Sequence, residues 1–198
     1  IYNYKDLIKE TNYTPKTNSD CEIILHLYLN YGIKQTLNML DGEFAFALLD
    51  VSEKKLYYAR DPYGVRPLYR FIDTHNFKNT IGFASELKCL SDLFNGDTNN
   101  KNIIKNVLPG SYTELNYNNF WNVVQENICY HTLTMFHFTD LNESKETILE
   151  RLALYTKEAV KKRVENTERP VACLLSGGLD SSLVAALASK YYNGKIET

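Results

Sequence analysis

The sequence predicts an α+β fold of antiparallel strands, followed by the first strand-loop-helix of an α/β unit. Three observations predict it. Short strand-like runs succeed one another between Phe44 and Leu115, separated by turn residues. Asn142 to Val164 carries an apolar stripe at helical spacing. Finally, the apolar run Val171 to Leu175, the glycine-rich run Ser176 to Ser182 and the amphipathic run Leu183 to Ala188 read as buried strand, tight loop and helix.

The totals narrow the function classes. With 198 residues the chain holds one large domain or two modest ones. Its hydrophobic content of 44% and charged content of 23% are ordinary for a soluble globular protein. A net charge of −2 does not suggest a nucleic-acid partner, and no apolar run approaches the roughly 20 residues that span a membrane. Cys21, Cys89, Cys129 and Cys173 are far apart and form no C-x-x-C, so they read as reduced thiols of a cytosolic protein. The chain starts at Ile1 rather than Met and stops at Thr198, one unit into a sheet that needs both faces covered. A longer protein is therefore expected.

In chain order, Tyr4 to Glu10 is a short helix and Thr11 to Asn18, with Pro15, a loop. Ser19-Asp20-Cys21-Glu22 fits a capping box, with Ser19 as N-cap and Glu22 three residues on. The helix that follows is expected to pack Ile24, Leu25, Tyr28 and Leu29, to end at Gly32, and to give way to a second short helix, Ile33 to Leu40. Phe44 to Leu49 is a strand with Phe44, Phe46 and Leu48 on one face, paired through the turn Val51 to Lys55 with Leu56 to Ala59. Leu68 to Ile72 and Ile81 to Ala84 are further strands, and Ser85 caps a helix with Leu87, Leu90, Leu93 and Phe94. Residues 95–106 read as loop, Val107 to Leu115 as turn and strand, and Tyr117 to His137 as an interdomain connection. His131 and His137 lack the cysteine or carboxylate that would complete a metal site.

Chemistry concentrates in three places. Glycines between a strand and a helix let backbone N–H groups approach an anion at the positive helix end. In Ser176-Gly177-Gly178-Leu179-Asp180-Ser181-Ser182 the hydroxyls add donors, and Asp180 could hold a magnesium ion on phosphates. The run is not a P-loop, since it has neither lysine nor G-x-x-x-x-G-K-[ST]; the plainer alternative is a solvent-exposed turn. Asp20 reads either as a carboxylate favoured by the helix dipole or as an acid fixed to grip a ligand ammonium. Arg60, Asp61 and Arg66, around the Pro62-Tyr63-Gly64 turn, read as a structural ion pair plus a spare cation.

These runs carry a resemblance. Ser-Gly-Gly-Leu-Asp-Ser-Ser at 176–182 resembles the pyrophosphate-binding loop of the N-type ATP pyrophosphatases. Ser19 to Glu22, Leu40 to Ala47, Arg60 to Leu68 and Ala84 to Lys88 resemble, in order and spacing, successive motifs of class II glutamine amidotransferase domains. Together the halves resemble the glutamine-hydrolysing asparagine synthetases. The resemblance implies an N-terminal-nucleophile αββα sandwich, partial, over residues 1–137 with the connection, and the start of an ATP-pyrophosphatase domain over 138–198. It implies glutamine, aspartate and ATP as substrates, Mg²⁺, a cytosolic location, and room for a homodimer. Asp20 would bind the α-amino group of glutamine. Leu174 would contact the nucleotide through backbone, and Ser176, Gly177, Gly178, Asp180, Ser181 and Ser182 would hold pyrophosphate and Mg²⁺. The family's N-terminal cysteine nucleophile matches none of the internal cysteines, so this chain alone is expected to catalyse neither half-reaction. A related amidotransferase-ligase of the β-lactam synthetase kind, or a non-catalytic remnant binding nucleotide or a partner, are the alternatives.

Overall fold

Strand β2, Lys55–Arg60, is buried almost from end to end, and the fold of residues 3–133 is arranged around it. The computed structural model describes residues 1–73, 80–93, 104–132, 143–167 and 169–198. It divides into two compact units, one of residue 1 with residues 3–133 and one of residue 2 with residues 134–198.

In the first unit β2 lies between β1, Ala45–Asp50, and β6, Ser111–Asn118, both antiparallel to it. Strand β7, Phe120–Cys129, completes a four-stranded sheet in the order β1-β2-β6-β7. A three-stranded sheet has the order β4-β3-β5, from Thr80–Ala84, Tyr69–Asp73 and Ile104–Asn106. Side chains alternate across a strand. Tyr57 and Ala59 therefore join one core with Leu7, Ile23, Leu27 and Leu37 from helices α1, Tyr4–Glu10, and α2, Glu22–Met39. Leu56 and Tyr58 join the other with Leu68, Val107 and Leu115, against which Ile72, Ile81 and Phe83 pack. The result is helices on a sheet on a second sheet. Buried Arg70 on β3 is paired with Glu126 on β7, tying the two sheets by charge.

The structure corrects several local expectations. Helix α2 does break at Gly32, whose φ of 73° favours glycine, and the buried Thr36 hydroxyl donates to the Gly32 carbonyl at 2.8 Å. Its buried face, however, is Ile23, Ile24 and Leu27, whereas Leu25 and Leu29 are exposed. The capping box does not form: Cys21 is the N-cap, without a side-chain cap, and Glu22 turns back to the preceding loop. Residues after Ser85 form a short 3-10 helix, Leu87–Leu93, in which Leu90 is buried and Leu87 exposed. Phe94 lies outside the described residues, as does most of the expected 95–106 loop. The stretch expected to connect domains contains β7. Bulges against β6 and the positive φ of Asn119 and Asn127 break the alternation that would have announced it.

The second unit has helix α3, Lys145–Glu165, capped by Ser144, whose hydroxyl accepts from Thr147 N at 3.2 Å. It packs against α4, Leu179–Tyr191. The predicted stripe of α3 is present, but Ile148, Leu149, Leu152 and Tyr155 are exposed, and Val164 is the buried residue of this helix. The expected buried strand at Val171 to Leu175 is an extended run with a single parallel bridge, Ala172 to Glu197. Leu174 is 98% exposed. A parallel strand becomes buried only between neighbours with both faces covered, and among the described residues the 195–198 segment is its one ladder partner.

Candidate functional site

The first unit carries a cavity of about 690 Å³ along β1. Residues Phe44 to Leu49 form one wall, and Asp20, Leu25, Glu43, Arg66 and Ser85 line the rest. The place of Leu25 explains its exposure: it faces the cavity rather than the core. Asp20 stands just before the first turn of α2, half-buried, and lines the cavity beside Ile1. Burial, together with the negative charge of Asp20, raises the neighbouring Cys21 thiol, which keeps it protonated near neutrality.

The turn beneath Arg66 is held differently from the expected ion pair. Arg60 and Asp61 are both buried, yet each is engaged elsewhere. The Arg60 guanidinium donates to the carbonyls of Gly64, Arg66 and Val107 and to the Asn106 side chain, at 2.7 to 2.9 Å. The Asp61 carboxylate accepts from the backbone N–H groups of Tyr63, Val65 and Arg66 at 2.9 to 3.0 Å. Two charges thereby fold one turn and set Arg66 at the cavity wall. The sequence marked Arg66 as a spare cation and Ser85 as a helix cap and gave Glu43 no role of its own; no local pattern marks which side chains of a turn will face a cavity.

The second unit carries the other predicted residues. Gly177 has φ 82°, a left-handed value costly for any other residue, and Gly178 is the N-cap of α4. Ser176 Oγ and Ser181 Oγ are 3.0 Å apart, and the Ser181 hydroxyl donates to the Gly178 carbonyl at 3.1 Å. A glycine N-cap gives no side-chain acceptor, so the first N–H groups of α4 face solvent at the positive helix end. Ser176, Gly177, Gly178, Asp180 and Ser182 are all exposed around it, and Leu174 precedes them in the extended run. Asp20 belongs to the first unit and the loop to the second. Among the described residues no group of three or more His, Cys, Asp or Glu is placed to hold a metal ion, and His137 lies outside them.

The two-sheet architecture defines the class. Glutamine phosphoribosylpyrophosphate amidotransferase from B. subtilis, complexed with ADP and GMP, aligns with a TM-score of 0.50 at 19% identity, over 100% of this chain and 43% of that one. The allosteric regulatory enzyme of purine biosynthesis aligns with 0.50 at 20%, over 100% and 42%. At such identities the likeness is one of fold alone, a partial α+β sandwich of two antiparallel sheets with helices on one of them.

The sequence matches are more particular. Residues 1–92 match the family model of a glutamine amidotransferase domain and residues 151–198 that of asparagine synthase. The glutamine-hydrolysing asparagine synthetase of Rattus norvegicus is 40% identical over 196 residues, 94% of this chain and 34% of that protein. That of Cricetulus griseus is 41% identical with the same coverage, and that of Homo sapiens 40% over 200 residues, 96% and 35%. The chain is similar to the glutamine-hydrolysing asparagine synthetases over nearly all of its own length, and it spans about a third (34%) of the length of these relatives.

Proposed function

We propose that the protein forms asparagine from aspartate, with glutamine as nitrogen donor and ATP as activator. The carrying observation is the joint occurrence, in one chain, of a carboxylate that lines the β1 cavity, Asp20, and an exposed glycine loop at a helix N-terminus, 176–182. In this reading Asp20 accepts the α-ammonium of glutamine and fixes the amide along the β1 wall. Residues 1–137 serve glutamine hydrolysis and residues 138–198 begin the ATP-dependent domain. An oxygen of the aspartate side-chain carboxylate attacks the α-phosphorus of ATP, and the bond to the β-phosphate breaks. Ammonia then attacks the acyl carbon and AMP leaves.

The loop residues bind and orient the departing group. The N–H groups at the start of α4 and the hydroxyls of Ser176, Ser181 and Ser182 take the pyrophosphate oxygens, where donors matter most as charge develops. Leu174 lies beside the nucleotide through its backbone. A carboxylate with neighbouring hydroxyls is a hard oxygen donor set that suits magnesium, so Asp180 with the phosphates would hold Mg²⁺, which supplies neutralisation of the pyrophosphate charge. The free thiols, of which Cys21, Cys89 and Cys129 are exposed, fit the reducing cytosol.

The test uses the protein at the length its source makes, supplied with glutamine, aspartate and ATP with magnesium. Asparagine, AMP and pyrophosphate in equal amounts are expected. AMP formation that ignores aspartate but follows another carboxylate would move the reading to a different ligase, and no nucleotide turnover would remove it.

A further inference from the structure

We propose that Glu22 is the positioning residue of the Asp20 site, holding the loop that delivers Asp20 to the cavity. This rests on reading Asp20 as the ammonium anchor. Both oxygens of the Glu22 carboxylate are fully engaged by that loop. Oε1 accepts from the Tyr13 hydroxyl at 2.5 Å and from Lys16 N at 2.7 Å. Oε2 accepts from Thr17 N at 2.7 Å and from the Thr17 hydroxyl at 2.5 Å. The network then runs on toward Asp20. Ser19 N donates to Thr17 Oγ1 at 3.2 Å, Cys21 N donates to Ser19 Oγ at 3.3 Å, and Glu22 N donates to the Ser19 carbonyl at 3.2 Å. Asp20 is the residue enclosed by these bonds. At the far end the Tyr13 ring stacks on His26, one turn further along α2, with centroids 4.1 Å apart.

Burial cannot hold this loop, because residues 14–19 are all exposed. Its order comes from hydrogen bonds, and they converge on one side chain. Four donors meet there, two of them backbone N–H groups that can do nothing but donate. A carboxylate, an acceptor at both oxygens, satisfies all four. Glutamine would turn an NH₂ toward one of the two backbone donors and release that part of the loop. A small displacement of a substrate anchor lowers productive binding out of proportion to the distance moved.

Two measurements test the proposal. In this chain, trypsin cleavage after Lys16 reports the loop directly, and Glu22→Gln should quicken it about tenfold while other sites are cut at the parental rate. Equal cleavage after Lys16, or faster cleavage everywhere, would overturn the idea. In the protein at its natural length, glutamine-driven asparagine formation is compared with ammonia-driven formation as a measure of folded enzyme. Glu22→Gln should raise KM for glutamine about tenfold with little change in kcat, and Tyr13→Phe should raise it less. If Asp20→Asn raises KM and Glu22→Gln does not, the positioning role is wrong and the anchor stands. If Asp20→Asn leaves KM unchanged, the anchor reading fails and the inference fails with it.

Discussion

Replacing Asp61 with alanine should unfold the first unit at a markedly lower temperature. Asp61 is 1% exposed, and its carboxylate accepts three backbone N–H groups, those of Tyr63, Val65 and Arg66. A hydrogen bond to a charged group contributes about 1.5–3 kcal/mol net, and an abandoned buried donor costs about 1–3 kcal/mol. Water reaches part of this turn, and the three bonds share one carboxylate, so the loss should be about 3–5 kcal/mol rather than their sum. Asp61→Asn keeps the oxygen that serves Tyr63 and Val65 but turns an NH₂ toward Arg66 N, for about 1–3 kcal/mol. At about 3 °C per kcal/mol for a chain of this size, Asp61→Ala should lower the melting temperature by about 9–15 °C. The single tryptophan, Trp121, packs at the inter-sheet core, so its fluorescence follows this unit. An Asp61→Ala melt within about 2 °C of the parent, or one no lower than that of Asp61→Asn, would refute the account of the turn.

Further outcomes follow from single residues. Leu27→Ala, at a fully buried site, should cost about 2–5 kcal/mol, whereas Leu29→Ala, 78% exposed, should stay within about 0.5 kcal/mol in urea unfolding. Gly177→Ala places a side chain at φ 82°, a strain of about 1–2 kcal/mol, so ATP titration with magnesium should show about 5–30-fold weaker binding. The Glu22 carboxyl is held down from 4.5 to about 2, first by the Lys16 backbone N–H and then by Thr17 and Tyr13. A depressed carboxyl stabilises fully above its unfolded value and is lost as pH falls through its folded one. Urea midpoints measured from pH 6 to 2 should therefore decline less steeply below pH 4.5 in Glu22→Gln than in the parent.

What the sequence made legible was local. The break at Gly32, the first hairpin and the face shared by Phe44 and Leu48 follow from backbone freedom and alternation, and the structure has them. Partner choice is not local. Arg60 and Asp61 look like a pair because they are adjacent and opposite in charge, but each is taken up by backbone groups of the turn that follows. The apolar run 171–175 has the composition of a buried strand, and its burial depends on neighbours that residue identity does not supply. Asp20 was legible as an acid at a helix start. That Glu22 faces the loop instead of the cap was not, because the S-x-x-E spacing serves either arrangement.

Strand β2 has one more consequence. It gives Tyr57 and Ala59 to one core and Leu56 and Tyr58 to the other, so neither core can dissolve while the other keeps its shape. The helical layer and the second sheet should then come apart together, as one cooperative block. Amide protons of residues 55–60 should exchange only through global opening. A cavity made at Leu37 on one side or at Leu115 on the other should shorten their protection alike.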